Sequence, residues 1–165
     1  MRDNLRLNNC LEKTLVREVA LSNSEGLSKL MVPKRRKLSS GAQLMESDID
    51  RDLSAWESLS DVETNTLDKD LIHARIDKLS AIKIDAEGFE LPVLAGSINT
   101  LKTFTPSVLV EIFALDTLIS IISFMNNLGY NDPKALDGID ARKFVERQCN
   151  LPKASNYLFL HSKNL

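Results

Sequence analysis

Three carboxylates lie close together in the segment "IKIDAEGFEL", residues 82–91, at the end of a run that is otherwise typical of a buried strand. Asp85 and Glu87 are two residues apart, so their side chains point to the same side while the chain stays extended. A carboxylate beside a hydroxyl group can take up its proton while the oxygen attacks an electrophile. Asp85 and Glu87 are therefore candidate catalytic residues, with Asp85 as the first choice.

A purely structural interpretation of the same segment stays open. Glu87 and Glu90 stand at the start of a predicted helix, where negative charge stabilises the first turn by ~0.3–1 kcal/mol. Gly88 supplies backbone freedom for a turn. On this interpretation the acidic segment is only a strand end followed by a helix start. On either interpretation we expect Glu90 to turn outward on the first helical turn.

A third candidate catalytic residue, Glu111, lies near the end of the next predicted strand. The segment "SVLVEIF", residues 107–113, is a continuous apolar run of strand length. In open α/β sheets, ligands bind in the crevice at the carboxyl ends of the parallel strands. We therefore expect Glu111 to point toward the crevice that Asp85 and Glu87 would line.

The second half of the chain alternates strands with helices, and this order predicts the fold. After the strand "SAIKID", apolar residues recur at helical spacing over residues 90–101 and again over residues 115–125, and "NYLFLHS" is a final strand. The pattern predicts an α/β domain with a mostly parallel sheet and helices on both faces. It also predicts that residues 81–85 and 107–113 are adjacent parallel strands joined by the first helix.

The first half of the chain is less regular. Residues 3–12 are typical of the end of a helix, and residues 15–32 contain two strand-like runs around the turn signal "NSEG", which predicts a hairpin. Residues 33–60 show no deciding period and are predicted to form a long surface loop. "VETNTL" alternates like a half-exposed strand. The length of the chain predicts a single domain over residues 1–165.

The composition of the chain indicates which partners and which cellular compartment to expect. Basic and acidic residues nearly balance, and the net charge of −2 gives no reason to expect nucleic acid as the main partner. The longest apolar runs are too short or too interrupted to span a membrane, and the N-terminus is too polar for a secretion signal. Cys10 and Cys149 lack a C-x-x-C spacing, which favours free thiols in the cytoplasm. His73 and His161 are too few for a metal site.

Several motifs together carry a family resemblance. They are "TLD" at 66–68, "IKIDAEGFELPVLAGS" at 82–97, "PSVLVEI" at 106–112, "LGY" at 128–130 and the closing "NYLFLH". In this order and spacing, the chain resembles the C-terminal two-thirds of the FkbM-type S-adenosylmethionine-dependent methyltransferases. The resemblance implies a Rossmann-like sheet, S-adenosylmethionine as cofactor, and methyl transfer to a hydroxyl oxygen of a small molecule or glycan, such as a sugar or natural product.

The resemblance also implies roles for particular residues. Ala20, Leu21 and Ser22 resemble the turn that faces the adenine ring after the family's third strand, although such a segment more often forms only packing and a turn. Asp85 would lie near the cofactor or act as the general base, and Glu87 would orient the acceptor or offset the positive sulfonium. These residues form the implied cofactor and acceptor site.

The same resemblance predicts an incomplete sheet. The family's domain begins with a strand, a glycine-containing loop and a second strand, and nothing in this sequence corresponds to them. The first of these strands would lie between "VREVALS" and "AIKID", so an exposed strand edge or a gap is expected there. The chain is then a methyltransferase domain that works with an N-terminal segment or a second chain, or a non-catalytic, partner-binding module that has lost cofactor binding.

Overall fold

The computed structural model describes residues 1–34, 42–45, 53–136 and 155–164. Within them, the strands form two four-stranded sheets with the orders β1-β4-β2-β3 and β5-β6-β8-β7. The strands are β1 (Ala20–Leu21), β2 (Gly26–Pro33), β3 (Gln43–Leu44), β4 (Trp56–Asn65), β5 (Ala81–Ile84), β6 (Ser107–Ile112), β7 (Lys134–Ala135) and β8 (Ser155–Phe159). The helices are α1 (Arg2–Leu7), α2 (Leu67–His73), α3 (Glu90–Ala95), α4 (Ile98–Phe104) and α5 (Leu115–Asn127). The predicted α/β class is confirmed.

The sheets are not mostly parallel, and this part of the prediction is wrong. Among the described residues only two strand pairs, β1–β4 and β5–β6, run parallel. The pairs β2–β3, β2–β4, β6–β8 and β7–β8 are antiparallel. A short apolar strand such as β8 carries no sequence signal of its direction, so the strand–helix alternation could predict the parallel pair but not the whole sheet.

The strands β5 and β6 confirm the predicted central connection. Ala81 lies opposite Ser107 and Ile84 lies opposite Val110 in parallel register. The helices α3 and α4 lie between the two strands along the chain. Pro92 is tolerated in α3 because it occupies the first turn, where its missing N–H has no helical partner. The connection brings the C-terminal ends of β5 and β6 side by side.

Helices cover one face of the second sheet in the described part of the chain. Val108, Val110 and Ile112 are fully buried in a core shared with α3 and α5. Leu109 and Glu111, which alternate with them along β6, are only half-buried. The apolar run predicted helices on both faces, but this alternation of burial is typical of a strand with one covered face.

The predicted hairpin over residues 15–32 is wrong. Of its first run, only Ala20–Leu21 forms a strand, and this strand pairs in parallel with β4. β2 also pairs with β4, along its whole length. The ten-residue β4 offers β2 a much longer hydrogen-bond ladder than the two-residue β1 does. The longer ladder explains the choice of partner.

The long loop predicted over residues 33–60 contains strands. β3 lies within it, and β4 begins at Trp56. The first residues of β4 are mostly exposed and show no apolar alternation, so the strand period was not visible in the sequence. Residues 35–41 and 46–52 of the predicted loop lie outside the described residues. The single-domain assignment of residues 1–165 stays a prediction.

The "TLD" motif joins two helices. Thr66 accepts a hydrogen bond from the backbone N–H of Lys69 at 3.2 Å and so caps α2. Asp68 accepts hydrogen bonds at the start of α4, from the backbone N–H groups of Asn99 at 3.0 Å and Thr100 at 2.7 Å. Both polar side chains of the motif satisfy helix ends, and the motif is therefore part of the scaffold that precedes β5.

The strand β5 forms an edge of its sheet. In the described residues it pairs with β6 alone, and β1 is likewise an edge of the other sheet. A cavity of about 500 Å³ is lined by residues of both edges. The break in the sheet that the family resemblance predicts is therefore present in the described part of the structure.

Candidate functional site

The C-terminal end of β5 presents two charged side chains on one face. Ile82 and Ile84 turn toward the core, whereas Lys83 and Asp85, which alternate with them, are exposed. This alternation follows the two-residue period of a strand. Lys83 and Asp85 thus share the less covered face of the sheet, on which Glu111 of β6 also lies.

Asp85 and Glu111 are neighbours at the adjoining ends of β5 and β6. The parallel register of the strands brings these two residues side by side, as the sequence predicted. A hydrogen bond with Asp85 raises the pKa of Glu111, and burial together with repulsion from Asp85 and Glu87 adds to the rise, while Lys83 opposes it. Glu111 therefore keeps its proton to a higher pH than an isolated glutamate does.

Lys83 is the cation that faces this pair. Its Nζ atom lies 3.8 Å from Oε2 of Glu111 and 4.0 Å from Oδ2 of Asp85. Both distances are long for ion pairs, and the Lys83 side chain is 43% exposed, so water and salt weaken the attraction. Lys83 therefore offsets only part of the negative charge of the two carboxylates.

A tight turn after β5 carries Glu87. Glu87 and Gly88 have φ angles of 49° and 103°, a region that glycine enters freely and glutamate rarely does. The Glu90 carboxylate closes the turn by accepting a hydrogen bond from the Gly88 backbone N–H at 2.9 Å. Glu90 is only 2% exposed, so the expectation that it turns outward is wrong. The Glu90 side chain is buried because it accepts the hydrogen bond of the Gly88 backbone N–H group.

Four of the predicted site residues line the cavity between β1 and β5. Ala20 and Leu21 come from β1, and Asp85 and Glu87 come from the end of β5 and its turn. Glu111 joins this group through its hydrogen bond with Asp85. The volume of about 500 Å³ is typical of a small-molecule site. The apolar walls include Leu30, Leu44, Leu67, Ile82, Phe89 and Val93.

Ser22, the remaining predicted cofactor-binding residue, lines a different pocket. Its backbone N–H donates to the Asn65 carbonyl at 2.8 Å, and the residue lies in the wall of an open cleft of about 900 Å³. Gly96 packs directly against it, because a Cβ atom at position 96 would lie 2.1 Å from the Ser22 carbonyl oxygen. Leu44 and Phe89 line both the cleft and the cavity, so the two spaces adjoin.

Lys83 and Phe89 are site residues that the sequence pattern did not single out. Lys83 stands two residues before Asp85, so the strand period alone was sufficient to indicate a common face. Phe89 gave no such signal, since an aromatic residue at the start of a helix is equally typical of a core. In the structure Phe89 is half-buried and stands between the cavity and the cleft.

Two further properties concern the part of the chain that the structure describes. There, no three histidine, cysteine, aspartate or glutamate side chains lie close enough together to hold a metal ion. No helix of that part has the length and apolar character needed to cross a membrane. The ionisable residues in the described lining of the cavity are Lys83, Asp85 and Glu87.

The described residues form an α/β domain in which carboxylates at the strand ends lie beside a largely apolar cavity. The family model described as the methyltransferase FkbM domain matches residues 2–131. The chain therefore belongs to the FkbM methyltransferase family, and the resemblance seen in the sequence is confirmed. The match includes β5, β6 and the turn between β5 and α3. No curated protein and no solved structure gives a significant match.

Proposed function

We propose that this protein is an S-adenosylmethionine-dependent methyltransferase that methylates a hydroxyl oxygen of a sugar or a natural product. Membership of the family supports methyl transfer. One observation carries the finer proposal: Asp85 and Glu87 line one largely apolar cavity, and Glu111 is hydrogen-bonded to Asp85. Carboxylates in this position can take up the proton that a hydroxyl group loses when its oxygen is methylated.

The lining of the cavity suits two unlike parts of the cofactor. Leu21, Leu67 and Ile82 offer apolar walls to a flat adenine ring. Asp85 and Glu87 offer carboxylates to the ribose hydroxyl groups or to the positively charged sulfur atom. The residues present therefore fit the adenosyl and sulfonium parts of S-adenosylmethionine.

The chemistry then follows from the positions of these side chains. The bound cofactor supplies a methyl group on a positively charged sulfur. Glu87 would orient the acceptor hydroxyl group toward the methyl donor. Asp85 would take up the proton that this hydroxyl group loses when its oxygen is methylated. Glu111 and Lys83 hold the Asp85 carboxylate through the hydrogen bond and the 4.0 Å ion pair.

Two measurements on the full chain test the proposal. Isothermal titration calorimetry with S-adenosylmethionine reports cofactor binding. Transfer of a labelled methyl group reports catalysis, with a panel of hydroxylated acceptors and their amine counterparts. Cofactor binding together with label on the hydroxylated acceptors is the expected result. Label on amines alone would contradict the assignment to oxygen, and bound cofactor without any labelled product would contradict methyl transfer to these compounds.

A second candidate function is favoured by the open edge of β5. In the described residues β5 pairs with β6 alone, and no glycine lies in the described lining of the cavity. On this alternative the chain is a non-catalytic, partner-binding module that has lost cofactor binding. Calorimetry separates the two functions, because the module gives no heat with S-adenosylmethionine. For both functions we propose that an N-terminal segment or a second chain supplies a strand beside β5.

We also propose that the enzyme works in the cytoplasm. Cys10 is an exposed free thiol, and such a thiol persists in a reducing compartment. Fractionation of cells that express the tagged full chain, combined with labelling of thiols, tests this location. Recovery of the protein outside the cytoplasm, with Cys10 oxidised, would contradict it.

A further inference from the structure

A further pocket, of about 450 Å³, is lined by residues from the start of β2, the end of β4 and the last residue of α2, His73. Its described lining shares no residue with the cavity that contains Asp85, although Leu27 and Thr64 also line the open cleft that adjoins it. A volume of this size suits a small molecule. The pocket is therefore a separate candidate binding site, which the proposed methyl transfer does not use.

Arg17 presents a firmly held guanidinium group to this pocket. Its Nη2 and Nε atoms donate hydrogen bonds to Oδ1 of the buried Asp70 carboxylate, at 2.8 Å and 3.1 Å. The remaining nitrogen, Nη1, has no hydrogen-bond partner among the described residues. Because the Arg17 side chain is exposed, a ligand carboxylate can bind Nη1 while Asp70 keeps the guanidinium group in place.

Glu63 supplies an opposite charge to the same pocket. The hydrogen bond and the charge of Asp70 raise the pKa of Arg17, and the negative charge of Glu63 adds to the rise while burial opposes it. Glu63 attracts Arg17 in this way, but it forms no ion pair with any residue that the structure describes. The other carboxylate of the lining, Glu25, is already paired with Lys69. A cation and an anion that attract each other without touching can be bridged by a ligand that carries both charges.

A buried hydroxyl group offers the pocket a contact that the fold does not use. Thr64 is 8% exposed, and its Oγ1 atom makes no hydrogen bond within the described part of the chain. Gly26 lies opposite Thr64 in the register of β2 and β4, and it has no side chain to cover this oxygen, which a Cβ atom there would approach to 3.7 Å. A buried hydroxyl without a partner costs folding free energy. Its position in the lining therefore indicates a contact with a ligand.

Leu27 gives the pocket an apolar surface. It is 81% exposed although it is a large apolar residue at the start of β2. Covering apolar surface that would otherwise face water is favourable. A ligand with an apolar side chain would therefore gain free energy from contact with Leu27, in addition to its polar contacts.

We propose that this pocket binds a free α-amino acid with an apolar side chain. At neutral pH such a molecule carries one carboxylate and one ammonium group. Its carboxylate binds Nη1 of Arg17, its ammonium group binds Glu63, and its side chain lies on Leu27. The Thr64 hydroxyl group completes the polar contacts. This site goes beyond the proposed methyl transfer and does not rest on it, because its described lining contains none of the residues assigned to that reaction.

Isothermal titration calorimetry of the full chain without cofactor tests which groups of the ligand are recognised. The probes are leucine, N-acetylleucine, which lacks the ammonium group, and leucinamide, which lacks the carboxylate. Leucine should bind saturably, and each derivative should bind at least about fivefold more weakly, because it loses one exposed ion pair. No saturable binding of leucine would overturn the proposal, and so would equal binding of leucine and either derivative.

A charge-removing variant with a matched control locates the ammonium contact. Glu63→Gln should weaken leucine binding by at least about fivefold, while the weak binding of N-acetylleucine should stay as in the parent. Glu57→Gln changes another exposed glutamate of β4, which lies outside the described lining of the pocket, and it should bind leucine like the parent. Equal leucine binding by Glu63→Gln and the parent would overturn the assignment of this site.

Thr64→Val separates a contact with the ligand from a contribution to the fold. Valine replaces the unused hydroxyl group with a methyl group of similar shape, so urea denaturation should show a free chain at least as stable as the parent. Leucine binding by the same variant should nevertheless be weaker. A less stable free chain would show that the hydroxyl group serves the fold, and unchanged leucine binding would show that it does not touch the ligand. Each of these results would overturn the role given to Thr64.

Discussion

Asp85 and Glu111 lie side by side at the adjoining ends of two parallel strands, where one carboxyl group can donate a hydrogen bond to the other when it is protonated. Two carboxyl groups this close do not both ionise easily, so the pair differs from two isolated surface carboxylates. Lys83 faces both groups from the same side. The pair thus has a proton-dependent state that stability and activity measurements can detect.

Replacing Glu111 with glutamine should change how stability depends on pH. The folded chain raises the pKa of Glu111, so its contribution to stability is fully present below the unfolded pKa of about 4.3 and is lost as pH rises through the folded pKa. In Glu111→Gln this loss is absent. The free energy of unfolding, measured with urea from pH ~4 upward, should therefore fall less across that window than in the parent.

The control for this measurement is Glu12→Gln, which changes an exposed glutamate outside the pair. It should keep the pH dependence of the parent. Parallel stability curves for Glu111→Gln and the parent would show that Asp85 does not perturb Glu111 in solution.

Asp85→Asn should separate binding from turnover. Asparagine keeps the size and hydrogen-bonding capacity of the side chain but cannot take up the acceptor proton. Loss of a general base should reduce methyl transfer ~10²- to 10⁴-fold, with S-adenosylmethionine binding still measurable by calorimetry. Asp116→Asn, an exposed aspartate in the first turn of α5, is the matched control. Equal turnover by Asp85→Asn and the parent would reduce the acidic segment to a strand end and a helix start.

Two substitutions at Glu90 should differ in their effect on stability. Glu90→Ala removes the acceptor of the Gly88 backbone N–H and should cost ~1.5–3 kcal/mol, as for hydrogen bonds to charged groups. Glu90→Gln keeps an oxygen that can accept this bond and should cost clearly less. Urea denaturation of both variants measures the difference. Equal losses would mean that the hydrogen bond to Gly88 is not what Glu90 contributes.

Asp68 lies in α2, but Asp68→Ala should destabilise the chain by removing a cap from the start of α4. The side chain accepts hydrogen bonds from the backbone N–H groups of Asn99 and Thr100 at the start of α4. Loss of such a cap should cost ~0.5–2 kcal/mol of unfolding free energy. Asp116→Ala removes an aspartate at the start of α5 that has no side-chain cap bond and should cost less. A similar loss in both variants would contradict the capping role.

Gly96→Ala should destabilise the chain although its backbone conformation suits alanine. Gly96 has a φ of −77°, so reduced freedom of the unfolded chain alone would stabilise the variant by ~0.4–1 kcal/mol. The added Cβ would lie 2.1 Å from the Ser22 carbonyl oxygen, and relief of such a contact should cost ~1–3 kcal/mol. Thermal or urea unfolding gives the sign directly. A gain in stability would show that Ser22 does not lie against Gly96.

The parts of the fold that the sequence predicted are those with a local signal. The apolar run of β6, the helical spacing of α5 and the acidic end of β5 are each contained in a few residues. The choice of β4 as the partner of β2 has no such local signal. It depends on the number of backbone pairs that β4 can form, and β4 shows no apolar alternation because it is mostly exposed. Pairing between distant and polar segments leaves no period in either of them.

The candidate site also has features that the sequence predicted and features that it did not. Asp85 and Glu111 are neighbours because the carboxyl ends of adjacent parallel strands lie at the same edge of a sheet. The sequence was sufficient to predict this proximity. The inward position of Glu90 depends on the positive φ angles of Glu87 and Gly88. Such backbone conformations are set by the surrounding packing, so spacing alone predicted the wrong direction for that side chain.

The position of Lys83 in the middle of the edge strand β5 has a consequence for how copies of the chain behave toward one another. A strand edge with free backbone groups is a template for strands of other molecules, and a lysine on it hinders pairing because the charge would be buried. Acetylation of Lys83, or its replacement by an apolar residue, would remove that hindrance. Wherever the proposed additional strand does not cover it, the same edge would then be prone to aggregation, so we expect Lys83 to disfavour self-association of the chain as well as to face the carboxyl pair.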